Sequence, residues 1–223
     1  MVWIKATYEF GSLFSYRIPD FSSQYALSSM LPGPSTIKLA IVSTAIETTG
    51  NVEYGKEIFE VAKNISIKIK LPNKIAFTNI LIKRLKKRKE KYGFERTFGI
   101  RGYVHYSENF SIYIDVPEEK VNEFERILKN IRWFGTSDSL VWCKSVSREE
   151  PPNDAIFAVE SLKKENKNIL IIPVKDINPK ASFDDINIYN KKKNKKNILI
   201  KKIYPIPILK QLQGKNWIVY ELV

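Results

Sequence analysis

Histidine and cysteine are almost missing from this chain: its 223 residues contain one of each, His105 and Cys143. A lone cysteine excludes an internal disulfide, and one histidine with one cysteine cannot complete a Cys/His zinc site. A reducing compartment is the simplest setting. Long apolar runs are lacking too. No window approaches the roughly 18 residues of a membrane helix, and the opening MVWIKATYEF has no basic segment followed by an apolar stretch. The expectation is a cytoplasmic protein with no membrane partner. P-loop, GxGxxG and HExxH patterns are absent, which disfavours nucleotide hydrolysis and zinc proteolysis. The acidic pairs Glu118–Glu119 and Asp184–Asp185 fit a helix start and a loop, and no cofactor is implied.

What the chain has in excess is positive charge, +13 in all. Seven basic residues fall between Lys83 and Lys91, and seven more between Lys191 and Lys202. With Glu90 as their one acid, these two runs account for the whole excess, and the remaining 23 basic and 23 acidic residues balance. Charge this localised suits a polyanion partner, because neutralised phosphates release counterions. Two solvated lysine loops are the plainer alternative.

The apolar pattern predicts an α+β protein. Val2, Ile4, Ala6 and Tyr8 alternate as a strand, and a turn-rich loop with Pro19, Pro32, Gly33 and Pro34 follows. A helix is expected from Ser35 to a stop at Gly50, then a strand within Ile58–Leu71 ending at Pro72. Residues from about 75 to 107, with strand-like ends around a basic middle, read as a projecting hairpin arm. A strand over Phe110–Val116, a helix from Pro117 to Ile131 and a strand over Leu140–Val146 complete the order βαββαβ. That is a ferredoxin-like, RRM-like domain over residues 1–147, with the arm inserted between its second and third strands. Pro151 and Pro152 mark the boundary to a small β-rich C-terminal lobe over 148–223, which contains the low-complexity run Asn190–Lys196.

Several residues have the chemistry of single-strand RNA binding. Ser35 and Thr36 open the first helix, where hydroxyls and free N–H groups can hold a phosphate, with Lys38 one turn on; an N-cap role also suits Ser35. Tyr16 and Arg17 pair a ring with a guanidinium in the loop, where Gln24 is a further candidate, although Phe14 and Tyr16 also suit loop anchors. In the arm, Phe77, Tyr92, Phe94 and Phe98 interleave with Lys83, Arg84, Lys86, Lys87, Arg88, Lys89, Arg96 and Arg101, giving stacking and backbone charge together. The turn Gly135, Thr136 and Ser137 offers backbone contacts. Tyr103 and His105 point to one face of a strand and Tyr106 to the other, a weak basis for RNA cleavage.

Three segments stand in a recognisable order: Phe14–Arg17 with Pro32–Thr36, the arm ending FGIRGYVHYSENFSIYIDV, and the turn Phe134–Thr136 within IRWFGTSDSLV. Over about Val2–Val146 the chain resembles the guide-end subunit of type I CRISPR surveillance complexes, the fifth Cas protein family of the repeat-associated superfamily. The resemblance implies a thumb-like hairpin on a ferredoxin-like domain. It also implies a grip on the 5′ handle of the CRISPR RNA, and docking to backbone and large subunits that brings target nucleic acid only indirectly into contact. Some relatives cleave precursor RNA without a metal. A non-catalytic RNA-binding subunit is the expectation here, with a processing endoribonuclease and a generic RNA-binding module as rivals.

Overall fold

The computed structural model describes residues 1–18, 25–89, 92–136, 138–162, 168–187 and 198–223. β1 (Val2–Phe10) buries Ile4, Ala6 and Tyr8 on one side, as its alternation requires. The loop after it holds three two-residue strands, β2 (Tyr16–Arg17), β3 (Tyr25–Ala26) and β4 (Ser28–Ser29). α1 (Pro34–Thr49) starts with Pro34, whose missing N–H costs nothing in a first turn, and ends at Gly50, whose φ of 67° lets its N–H reach Ile46 O at 2.7 Å. The N-cap is Gly33, so Ser35 lies inside the helix and caps nothing.

The strand expected within Ile58–Leu71 is corrected: its first half belongs to α2 (Val52–Ala62), and only β5 (Ile67–Lys70) is extended. Asn51 starts that helix by accepting the N–H groups of Glu53 and Tyr54, and Ile58, Phe59 and Ala62 bury its inner stripe. The hairpin of β6 (Lys74–Lys87) and β7 (Phe94–Tyr106) pairs from Ile75↔Tyr106 to Lys87↔Phe94. β8 (Phe110–Val116), α3 (Val121–Asn130) and β9 (Val141–Arg148) follow.

The first sheet is antiparallel, in the order β10-β5-β8-β1-β9, where β10 is Ile156–Phe157. α1 and α3 pack together, and Tyr8 donates to Leu128 O of α3 at 2.7 Å. The chain from β9 to β10 joins opposite edges of this sheet. On the way Glu149 pairs with Lys5 at 3.0 Å and Asp154 with Lys70, while Tyr113 beneath is 2% exposed. The segment is therefore an acidic crossing over the face away from the helices.

β11 (Ile169–Ile177), the single-turn α4 (Phe183–Ile186), β12 (Leu199–Gln213) and β13 (Trp217–Leu222) complete the chain. The second sheet runs β11-β12-β13-β6-β7-β3, so C-terminal strands extend the same sheet as the arm. Side chains of both sheets share one apolar cluster that includes Ile37, Ile172, Tyr204 and Ile206.

At this junction Lys38, 3% exposed, donates to Asp176 Oδ1 at 2.9 Å and to Lys63 O at 3.0 Å, while Lys202 takes Asp176 Oδ2 at 2.8 Å. Burial pushes the Lys38 ammonium below the usual lysine range, and Asp176 pulls it partly back. Asp176→Asn strands two ammoniums beside a buried amide. It should lower stability by about 3–5 kcal/mol in urea unfolding, and Asp176→Leu combined with Lys38→Met should recover part of the loss; an unchanged midpoint for Asp176→Asn would mean the pair contributes nothing.

Candidate nucleic-acid interface

The loop after β1 is held by aromatic packing. Phe14 exchanges backbone hydrogen bonds with Val104 of β7, at 3.0 and 2.8 Å, and stacks on Phe10 with ring centroids 3.8 Å apart. Tyr16 is 8% exposed within the same cluster, and burial pushes its phenol well above the usual range. Tyr16 therefore packs as a loop anchor, one of the two roles its sequence position allows, and it also borders a recess beside Arg17. Its neighbour Arg17 is exposed.

Arg17 borders two recesses. One, of about 620 Å³, runs along the middle and outer part of the arm and is lined by Arg17, Ala26, Ile82, Arg84, Lys86 and Arg101 among others. The other, of about 480 Å³, is lined by Arg17, Ser29, Gly33, Ser35, Thr36 and Lys175 among others. Its floor is the start of α1, where the N-cap Gly33 has no side chain to cap the first N–H groups. Residues far apart in sequence thus gather around one guanidinium: three arm cations on one side, and two hydroxyls with a lysine at the positive end of a helix on the other. Among the described residues, no cluster of histidine, cysteine or acidic side chains could hold a metal.

The turn after α3 belongs to this place. Gly135 has φ 81°, and a Cβ there would stand 2.9 Å from Thr36 Cγ2. Thr136 Oγ1 and Ser139 Oγ share a hydrogen bond at 3.1 Å, and Asp138 holds Arg101 Nη1 at 3.4 Å. Gly102 similarly lets β7 pass the loop, since a Cβ on it would meet Ser28 N at 2.9 Å.

The arm divides the remaining candidates, because residues directly opposite in an antiparallel pair share a face. Arg84↔Thr97, Lys86↔Glu95 and Ile80↔Arg101 lie on the groove side. Lys83↔Phe98, Leu85↔Arg96 and Lys87↔Phe94 lie on the other, where Leu85, Phe94 and Phe98 are 69%, 65% and 75% exposed. Arg88 and Lys89 follow β6 at the tip, both exposed. Lys38 lies outside both recesses, with its charge committed to Asp176, so its expected phosphate contact is corrected. Gln24 and Ser137 lie outside the described residues, as does Lys191–Asn197 of the second basic run. Lys175 was not foreseen; it is an ordinary lysine on a strand, and only the packing of β11 beside Gly33 brings it to the recess. Tyr106 donates its hydroxyl to Met30 O in the core, whereas His105 is exposed and Tyr103 half-buried on the opposite side of β7.

No family model matches the chain. It is 41% identical over its whole length, and over 99% of the relative's, to the CRISPR-associated protein Cas5 of Archaeoglobus fulgidus. Among solved structures, a crystal structure of a CRISPR protein from Archaeoglobus fulgidus aligns over 100% of this chain and 92% of its own, with 18% identity and a TM-score of 0.54. A chain from a CRISPR RNA-guided surveillance complex aligns over 91% and 89%, with 10% identity and a TM-score of 0.45.

Gly135→Ala should cost about 1–2 kcal/mol from the left-handed backbone alone, beyond the contact with Thr36. Urea unfolding measures this directly, and a wild-type midpoint would show that the turn does not depend on glycine.

Proposed function

Because the chain belongs to the Cas5 family of CRISPR-associated proteins, we propose that it is the RNA-holding subunit of a type I surveillance complex, gripping the 5′ handle of the CRISPR RNA. The observation that carries this reading is the position of Arg17 between the arm groove and the uncapped start of α1. A strand can lay successive phosphates along Arg84, Lys86 and Arg101, turn at Arg17, and place another against Ser35, Thr36 and Lys175. Guanidiniums suit the turn because each can hold two phosphate oxygens at once.

The first sheet supports a finer reading. The order β5-β8-β1-β9, with a helical segment before β5 and another before β9, supports reading residues 1–147 as a ferredoxin-like domain. The β6–β7 hairpin is then an insertion between its second and third strands, and residues 148–223 are a β-rich addition that braces it. In this reading the protein caps a filament of backbone subunits and meets a large subunit, and target nucleic acid reaches it indirectly. No helix among the described residues is long and apolar enough to cross a membrane, and we place the protein in the cytoplasm as part of an antiviral complex.

We also propose that it binds without cutting. Tyr106 is spent inside the core, which leaves His105 with Tyr103 as the only neighbouring phenol on its face of β7. Incubating the wild type with labelled precursor RNA should leave the RNA intact; products that vanish in His105→Ala would sink this part of the proposal.

The RNA grip is tested by equilibrium binding to a single-stranded repeat-handle RNA over a salt series. Arg84→Ala/Lys86→Ala/Arg101→Ala should weaken binding and make the slope of log K against log salt shallower by about 2, at about 0.7 per lost phosphate contact. Lys83→Ala/Lys87→Ala, on the other face, should change the slope less. A scrambled strand that binds as well as the handle would reduce the protein to a general single-strand binder.

A further inference from the structure

A third cleft, of about 370 Å³, shares no lining residue with the other two recesses. It opens where β1 and β5 meet β11 and β12, and its charged and aromatic lining is Trp3, Lys38, Lys63, Lys68, Phe157 and Lys202, with Asp176 as the single acid. This volume is within the range of small-ligand sites.

The charges in it are unequally matched. Lys38 and Lys202 divide the two oxygens of Asp176. Lys63 pairs with Glu60 at 2.6 Å and donates to Ala181 O at 3.2 Å. Asp115, beside the cleft, accepts the N–H of Ser66. Lys68 has no carboxylate within ion-pair distance among the described residues. Its ammonium stands 5.3 Å from the centroid of the Trp3 ring and 5.8 Å from that of Phe157. The register Phe157↔Lys68 fixes that arrangement, and Phe157 is 51% exposed although it is a large apolar side chain.

A half-buried cation held between two accessible rings, beside three more ammoniums, suits a ligand that is both anionic and planar. The rings can stack on a flat heterocycle while the lysines take a phosphate. A carboxylate side chain from a protein would use the charge and leave both rings idle.

We infer that this cleft is a second nucleotide site, which takes the terminal phosphomonoester of a nucleotide on Lys68, with Lys63 beside it, and its base against Trp3 or Phe157. The inference does not depend on the arm grip, because none of its residues takes part there.

Equilibrium dialysis and calorimetry of the full chain with adenosine monophosphate test it. The monophosphate should bind saturably, and adenosine and inorganic phosphate each more weakly. Lys68→Glu should weaken it about tenfold or more, close to 1.4 kcal/mol, and Phe157→Ala should weaken it too. Lys129→Glu, the same charge change on an exposed helix position, should not. Circular dichroism checks that each variant is folded. A short oligonucleotide with a 5′-phosphate that competes better than its 5′-hydroxyl form would make a strand end the source; competition by the free nucleotide alone would make it a small molecule, and either supports the site. No saturable binding, binding indifferent to both Lys68→Glu and Phe157→Ala, or equal binding of a glutamate-rich peptide would overturn it.

Discussion

The carboxylate of Asp176 ties the second sheet to α1. It sits on β11, yet its partners are Lys38 on α1 and Lys202 on β12, and all three groups are largely shielded from water. Exchanging one ion pair for another elsewhere would not do the same, because the low local dielectric makes any loss of a partner expensive. Tyr204 adds a hydrogen bond to Pro32 O at 3.4 Å, just before α1 begins. Once β11 and β12 are fixed on α1, Lys175 lies beside the helix start and β13 is delivered to the edge of β6. The geometry of the RNA grip therefore rests on an interaction that touches no RNA in that reading.

The arm illustrates why such bracing is needed. A two-stranded hairpin alone is marginal in water. Here β13 supports β6 from Lys74 to Thr78, and β3 supports β7 at Ile100 and Arg101. Beyond those pairings the hairpin continues as two strands. Its side facing the core at Ile75, Val104 and Tyr106 becomes, further out, the exposed surface of Leu81, Leu85, Phe94 and Phe98. An apolar stripe that runs from core into solvent, rimmed by Lys83, Lys87 and Arg96, has the composition of a surface built to be covered.

Much of this was legible in the sequence where a local rule decides the outcome. Period-two alternation placed β1 and β8, the Pro34–Gly50 punctuation placed α1, and strand-like ends around a basic middle placed the hairpin. The failure at α2 came from reading Ile58–Leu71 as one period, when Gly50 and Asn51 had already supplied a stop and a new cap. Candidate residues were legible by type but not by direction. Tyr16 and Lys38 carry suitable chemistry and are turned inward by packing that no neighbouring residue announces. Lys175 shows the reverse case, an unremarkable side chain given a place by a strand some 140 residues away from the helix it approaches.

The acidic crossing between β9 and β10 has a consequence for how the domain can be used. Open antiparallel sheets backed by helices commonly meet single strands on their bare face, through rings and cations on the central strands. Lys5, Tyr113 and Lys70 supply those side chains here, but Glu149 and Asp154 already neutralise the lysines, and Pro151 and Pro152 stiffen the roof above. The protein carries its own counterfeit of a phosphate backbone over that surface. The crossing occupies the ground around Lys5, Tyr113 and Lys70, so recognition is displaced toward the sheet's edges and to whatever projects from them.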